Sequence, residues 1–240
     1  MKKVVISQPM YFPWVGLLEQ VRLADVFVHY DDVQFVKGFY NRVQVKTDRG
    51  AKWITVPLKD RHRGQKINEV KIDDSQDWRK RHYDILRQAY REAPYKDEML
   101  SIVDEVFGIR AKSLVDISKA SVMALVKYFE LDKGCEFLGS SQLGVPGKSN
   151  QRLRDIVLHV GGHVYITGHG AKNYLDYELF ERSGIEVRYM KYECKKYPQL
   201  YGPFTPYVTA LDLVANFGKQ GKEMIVSGTI PWMEFINGSY

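Results

Sequence analysis

The sequence predicts an α/β protein: a mostly parallel, Rossmann-like sheet that carries an antiparallel hairpin and a helical insert. Three observations lead there. The chain opens on a strand-helix-strand pattern, a block of helical periodicity occupies about residues 76–130, and strand and helix patterns alternate again from residue 135. A strand-helix-strand unit with parallel strands crosses over right-handed, so the first two strands are expected side by side.

Residues 2–7 and 25–30 read as strands from their short valine, isoleucine and phenylalanine runs, with residues 13–23 as the helix between them. Residues 42–46 and 52–58 alternate with period two around Asp48-Arg49-Gly50, which predicts an antiparallel hairpin. From Asp77 the period lengthens, and residues 78–91, 95–107 and 111–130 read as helices. The last of them sets Leu114, Ile117, Val122, Leu125, Val126 and Phe129 on one face, as core packing requires. Residues 135–139, 163–167 and 185–192 follow as strands, alternating with helices at 150–160 and 172–180. Two short helices broken near Gly218 are expected over 210–227. No repeat, low-complexity run or Gly/Ser/Pro linker divides the chain, so one domain over residues 1–240 is expected.

Composition narrows the class. With 45% hydrophobic and 27% charged residues the chain can bury a full core, so disorder is not the default reading. The net charge of +6 favours anionic ligands. Its cations are interrupted by acids rather than gathered in one stripe, which ranks nucleic acid last among partners. Cys135 and Cys194 lie far apart without metal-type spacing, and the chain enters a strand with no apolar leader, so a reduced, cytoplasmic protein is expected. No run approaches the roughly 18 apolar residues of a membrane span.

Polar groups gather where predicted strands end, and in open α/β sheets ligands bind there. Gln8-Pro9 closes the first strand, ahead of the aromatic turn Tyr11-Phe12-Pro13-Trp14. Asp31 and Asp32 follow the second strand. A carboxylate there suits a sugar hydroxyl, a Mg²⁺ ion or the proton of an attacking amine, whereas the bland reading is a turn in which one aspartate caps a backbone N–H. Asn41, Arg42, Gln44 and Lys46 offer an amide and two cations fit for a phosphate or carboxylate. A solvated strand edge produces the same alternation and is favoured by pattern alone.

Residues 139–149 end in Gly147-Lys148-Ser149, but Gln142 stands where a phosphate-binding P-loop needs glycine, so a true Walker motif is rejected. A helix N-terminus with Ser140, Ser141, Lys148, Ser149 and Arg152 nearby still suits a phosphate, and capping by Ser149 alone is the bland alternative. The loop Thr167-Gly168-His169-Gly170-Ala171-Lys172-Asn173-Tyr174 adds a histidine able to shuttle a proton and a lysine able to pair with an anion. His159 and His163 are separated by Gly161-Gly162, which should end the helix, so a helical zinc pair is not expected. Residues 195–207, rich in proline and aromatics, read as an ordered loop that packs over the sheet edge or stacks on a ligand.

Taken in order, Gln8 to Gly16, Ala24-Asp25-Val26-Phe27-Val28, Asp31 to Phe35, Asn41-Arg42, Trp53 to Pro57, Ser140-Ser141, Gly147-Lys148-Ser149, the glycine loop before Lys172 and Tyr174, and Tyr197-Pro198-Gln199 resemble the WbqC-like family over nearly the whole chain. That resemblance implies association with bacterial surface-polysaccharide gene clusters, including O-antigen and lipopolysaccharide synthesis. It implies transfer of glycine or another acyl group to the amino group of a nucleotide-activated amino sugar. The order of strand, proline-aromatic turn, glycine at the helix start and later Lys-x-Tyr is also similar to the nucleotidyltransferase-like fold of pantothenate synthetase. That second likeness implies an acyl-adenylate, with ATP and Mg²⁺ as cofactor. It departs from the superfamily's His-x-Gly-His motif, because aligning on Gly16 puts Trp14 and Leu17 at the histidine positions.

The resulting expectation is an amide-forming acyl or aminoacyl transferase, whose partners are a nucleotide-linked amino sugar and an acyl or amino-acid donor. Asp31, Asp32 and His169 are the candidates for the proton, and Gln8, Asn41, Arg42 and Gln44 for orienting substrate or oxyanion. Tyr11, Trp14 and Tyr174 are the expected aromatic contacts, and Ser140, Ser141, Lys148, Ser149, Arg152 and Lys172 the phosphate contacts. The alternative is a non-catalytic module that binds a nucleotide sugar and delivers it.

Overall fold

The computed structural model describes residues 1–238. In chain order, β1 (Lys3–Ser7), α1 (Val15–Leu23) and β2 (Val26–His29) form the opening unit, with β1 and β2 parallel and Val5 opposite Phe27. The hairpin β3 (Arg42–Thr47) and β4 (Gly50–Thr55) follows, then the two-residue pair β5 (Leu58–Lys59) and β6 (Lys71–Ile72). Helices α2 (Trp78–Ala89), α3 (Lys96–Gly108) and α4 (Leu114–Tyr128) make the insert. The chain then continues through β7 (Glu136–Gly139), α5 (Ser149–His159), β8 (Val164–Thr167), α6 (Tyr177–Glu181), β9 (Glu186–Tyr192), α7 (Leu211–Phe217), β10 (Ser227–Pro231) and α8 (Trp232–Asn237).

The central sheet runs β10-β9-β8-β1-β2-β7, parallel except for β10, which pairs antiparallel with β9. Side chains alternate across a strand, and the two faces of this sheet are covered by different layers. Val5 and Phe27 pack with α1, α2, α3, α4, α7 and the hairpin. Val4, Ile6, Val26 and Val28 pack on the other side with Leu153, Ile156 and Val157 of α5, Phe180 of α6 and Phe235 of α8. Each such side chain, withdrawn from water, contributes about 1.5–3 kcal/mol. The predicted α4 face is wholly buried, Leu114 through Phe129.

Strand order also decides where a ligand can enter. β1 has β2 on one side and β8 on the other, and the chain winds outward in opposite directions from this pair. That makes the carboxyl ends of β1 and β8 a topological switch point, where the flanking loops part and leave a crevice.

Several features differ from the sequence reading, among them the unforeseen β5/β6 pair and α8. The helix expected over 172–180 is split into a 3₁₀ turn (His169–Asn173) and α6, because the Asp176 side chain accepts from the Leu179 N–H and starts a new helix. β10 carries a glycine and a proline in five residues and is tolerated as an antiparallel edge. The hairpin's polar face is not a solvated edge. Lys46 is buried, its ammonium reaching the Gln199 side-chain oxygen at 3.0 Å and the Pro203 carbonyl at 2.5 Å, so residues 195–207 are strapped onto β3. Ser149 does not cap α5: the N-cap position falls on Lys148, which makes no side-chain cap bond.

Candidate functional site

Between the ends of β1 and β8 lies a cleft of about 600 Å³. Gln8 reaches it because Pro9 stops the strand just beyond, and Thr167 and Gly168 close the other strand. Gly168 admits no side chain without crowding: a Cβ there would lie 3.1 Å from the Tyr192 hydroxyl, which itself accepts from Gln20 at 2.7 Å. Four tyrosines, Tyr30, Tyr40, Tyr165 and Tyr174, line the cleft with Ile6 and Leu153, and no lining side chain carries a charge at neutral pH. The Tyr174 loop is pinned to α5, since the Asn150 amide donates to the Tyr174 carbonyl at 2.8 Å and its oxygen accepts from the Asp176 N–H at 3.3 Å.

Burial raises the hydroxyls of Tyr30, Tyr40 and Tyr165 above the usual phenol range, Tyr165 furthest. They therefore stay protonated, and the cleft presents hydrogen-bond donors and aromatic faces. That chemistry suits the hydroxyls and carbonyls of a sugar or the face of a base.

Beside the cleft, at the ends of β2 and β7, stands a saturated polar cluster. Asp31 accepts from the Ser141 N–H at 2.8 Å, the Ser141 hydroxyl at 3.0 Å and the Ser140 hydroxyl at 3.0 Å, and it pairs with Lys119 of α4. Asp32 accepts from Ser140 at 2.6 Å and from Arg152 of α5 at 2.5 Å. Burial alone would raise both carboxyls, but the donors outweigh it: Lys119 and Ser141 hold Asp31, and Arg152 and Ser140 hold Asp32, below the usual carboxylate range. Arg152 also lies 5.3 Å from the centre of the Tyr30 ring, which joins this cluster to the cleft wall.

These carboxylates do not fit the Mg²⁺ of an ATP complex, because a metal would have to displace Lys119 or Arg152. No group of three or more His, Cys, Asp or Glu residues among the described residues is placed to hold a metal ion.

Of the residues singled out from sequence, Gln8, Ser149 and Tyr174 line the cleft, and Asp31, Asp32, Ser140, Ser141 and Arg152 form the adjoining cluster. The others stand elsewhere. Tyr11 is no cleft wall: it is fully buried, its hydroxyl 3.0 Å from Nδ1 of His82. Trp14 packs on Tyr192 and Tyr207 and does not line the cleft. Asn41 is buried and donates to the Val56 carbonyl at 3.2 Å, Arg42 stacks on Trp53 at 4.4 Å, and the Gln44 carbonyl accepts from the Thr209 N–H. Arg42 and Gln44 belong to the hairpin, and Asn41 directly precedes it. His169 turns towards α8, with Nε2 2.7 Å from the Met190 carbonyl and its ring against Phe235, and Lys172 lies over the same phenylalanine. Lys148 is exposed at the start of α5.

Sequence reasoning passed over Tyr30, Tyr40, Tyr165 and Gln20. The signal that finds the first and third is position: Tyr30 directly follows β2 and Tyr165 lies two residues from the end of β8, beside the switch point.

Among the described residues no helix is long and apolar enough to cross a membrane. No solved structure matches the chain, and no comparison supports the likeness to pantothenate synthetase. A protein of Mycobacterium tuberculosis described as Uncharacterized protein Rv1507c is 30% identical over 236 residues, covering 94% of this chain and 98% of that one. The model of the WbqC-like protein family matches residues 8–224, a span that runs from the cleft glutamine through the insert, the Asp31–Ser140 cluster and the strap over the hairpin. The chain belongs to the WbqC-like protein family.

Proposed function

We propose that the cleft binds a nucleotide-activated amino sugar, and that the protein transfers an acyl or aminoacyl group, such as glycine, from an activated donor to the sugar's amino group in surface-polysaccharide synthesis, the amide C–N bond forming as the bond between the acyl carbon and the donor's leaving group breaks. The observation that carries this reading is the position and lining of the cleft: a tyrosine-rich, uncharged crevice at the β1/β8 switch point, with a buried arginine behind one wall. Sugar hydroxyls would be held by Gln8 and Thr167, and aromatic faces by Tyr30 and Tyr174. The phosphates would lie towards Ser149 and Arg152, where the uncapped N–H groups of α5 favour negative charge.

Amide formation needs an uncharged amine, donors for the tetrahedral oxyanion and a group that takes the proton. The protonated phenols of Tyr30, Tyr40 and Tyr174 are the proposed oxyanion donors. Asp32 is the proposed proton acceptor. A substrate phosphate sharing the Arg152 guanidinium with Asp32 would weaken that restraint without breaking the pair. Asp31, held by Lys119 and two serines, positions the strand end. His169 faces Met190 and is assigned no role.

A second reading, a non-catalytic binding module, is favoured by one observation: both carboxylates are engaged by cations and neither lines the cleft. Mass spectrometry separates the two. Purified protein incubated with nucleotide-linked amino sugars and an activated acyl donor, such as a glycyl thioester or a glycyl-adenylate, should yield a product heavier by one amide-linked acyl group. Saturable binding of the nucleotide sugar with no product would support the module and refute the transferase.

A further inference from the structure

A groove of about 960 Å³ runs between β4 and α2, built from neither the strand ends nor the cleft. Four consecutive residues of β4, Gly50 to Trp53, line it. Successive side chains point to opposite faces of a strand, so a surface that touches all four is looking at the strand's edge. The hairpin's register fixes which backbone groups lie on that edge. Thr47 pairs with Gly50 across the turn and the Val56 N–H donates to the Asn41 carbonyl, which turns the N–H and C=O of Ala51, Trp53 and Thr55 away from β3. The Thr55 carbonyl accepts from the ring of His82. The outward groups of Ala51 and Trp53 have no backbone partner among the described residues. An open edge facing a helix across a groove is the geometry by which an extended peptide adds as a further strand.

The charges around that edge select the peptide. Arg49 and Lys52 beside the edge and Arg81 on α2 make no ion pair among the described residues. Two of the three groove acids are already used: Asp77 accepts from the Lys80 N–H at 3.1 Å, and Asp84 pairs with Lys80 and Arg87. Cations on an edge strand oppose pairing with a second copy of the same edge, and they favour an incoming strand of the opposite sign. Trp53, with Arg42 stacked on it and Phe39 5.5 Å away, supplies an apolar contact at one end of the groove.

We infer that the β4 edge is a docking site for an extended acidic segment of another protein, which adds antiparallel or parallel to Ala51–Trp53 with its carboxylates on Arg49, Lys52 and Arg81. The site shares no lining residue with the cleft and stands independently of the catalytic reading.

Fluorescence anisotropy tests it on the full chain with a fluorescein-labelled heptapeptide of alternating glutamate and valine. The expected result is saturable binding, weakened by about tenfold or more when alternate peptide amides are N-methylated and in the Lys52→Glu/Arg81→Glu variant. Ala51→Pro, which removes an outward N–H without touching the ladder to β3, should weaken it likewise. The N-methylated peptide probes the same hydrogen bonds without altering the protein. Absence of binding overturns the inference. So does equal binding of the N-methylated peptide, or of an oligothymidylate that competes as well as the peptide, since either shows a charge effect without strand addition.

Discussion

Asp31 and Asp32 are neighbours in the chain whose carboxylates are held from opposite sides of the sheet, Asp31 by Lys119 of α4 and Asp32 by Arg152 of α5, with the Ser140 hydroxyl 3.0 Å from one and 2.6 Å from the other. The pair thus fastens both helical layers to the ends of β2 and β7. Breaking a largely buried ion pair from one side leaves an uncompensated charge. Arg152→Ala is therefore expected to destabilise the protein by about 2–4 kcal/mol. A double-mutant cycle with Asp32→Ala, read by urea denaturation, should return a coupling of about 1–3 kcal/mol. Additive single effects would show that the contact does not hold the layers together.

The cleft should be separable from this fastening. Tyr174 is 58% exposed, so Tyr174→Ala removes an aromatic face without opening the core. Calorimetric titration with a nucleotide-linked amino sugar should show affinity reduced by about tenfold in Tyr174→Ala and in Gln8→Ala, with thermal midpoints unchanged. Unaltered affinity in both would place the ligand elsewhere.

Buried acids and buried histidines shape the pH profile in opposite directions. Burial raises Glu19 to about 7 and Asp212 to about 6, even though Ser227 bonds the first and Tyr197 the second. A carboxyl whose folded pKa exceeds its unfolded value contributes stability that is fully present below the unfolded value, near 4, and lost as pH rises through the folded value. Asp31 and Asp32 are shifted downwards, so their contribution is lost on the acid side, below about pH 4. His29 and His82, lowered to about 4 by burial, act with the opposite sign, since the stability they contribute is lost as pH falls from about 6.5 towards 4. The sign is therefore read by difference: Glu19→Gln and Asp212→Asn should each remove up to about 3 kcal/mol of the decline between about pH 4 and 7 in urea titrations. A variant whose profile runs parallel to that of the unaltered protein over that range would contradict the sign.

The turn after β1 holds a close contact with a mutational consequence. The Trp14 indole lies against Gly16, where a Cβ would sit 2.2 Å from a ring carbon. Gly16→Ala must push the ring from Tyr192 and Tyr207, and a destabilisation of about 1–3 kcal/mol is expected in thermal melts. A neutral effect would mean that the ring moves freely. The same contact gives a physical reason for the Trp14-Val15-Gly16 run.

How much of this was legible in the sequence depended on periodicity. The β1-α1-β2 unit, the hairpin and the α4 face announce themselves because burial on one side imposes a period of two or of 3.6. β10 does not, since Ser227–Pro231 makes a short edge strand with no alternating signal. The site was half legible. Strand-end carboxylates and glycine loops stand out by composition, and they do fall at the ends of β2, β7 and β8. The cleft's tyrosines do not stand out, because Tyr30 and Tyr165 read like core aromatics until the strand order places them at the switch point. Lys46 shows the converse: it is a surface residue by pattern, made internal by the Gln199 and Pro203 strap that lies more than a hundred residues away.

Hydrogen–deuterium exchange with and without a nucleotide-linked amino sugar locates the ligand on the chain. Added protection is predicted in the segments carrying Gln8, Tyr30 and residues 165–174, which border the crevice between β1 and β8. Protection confined to β4 and α2, or none anywhere at saturating ligand, would show that the crevice between β1 and β8 is not the nucleotide-sugar site.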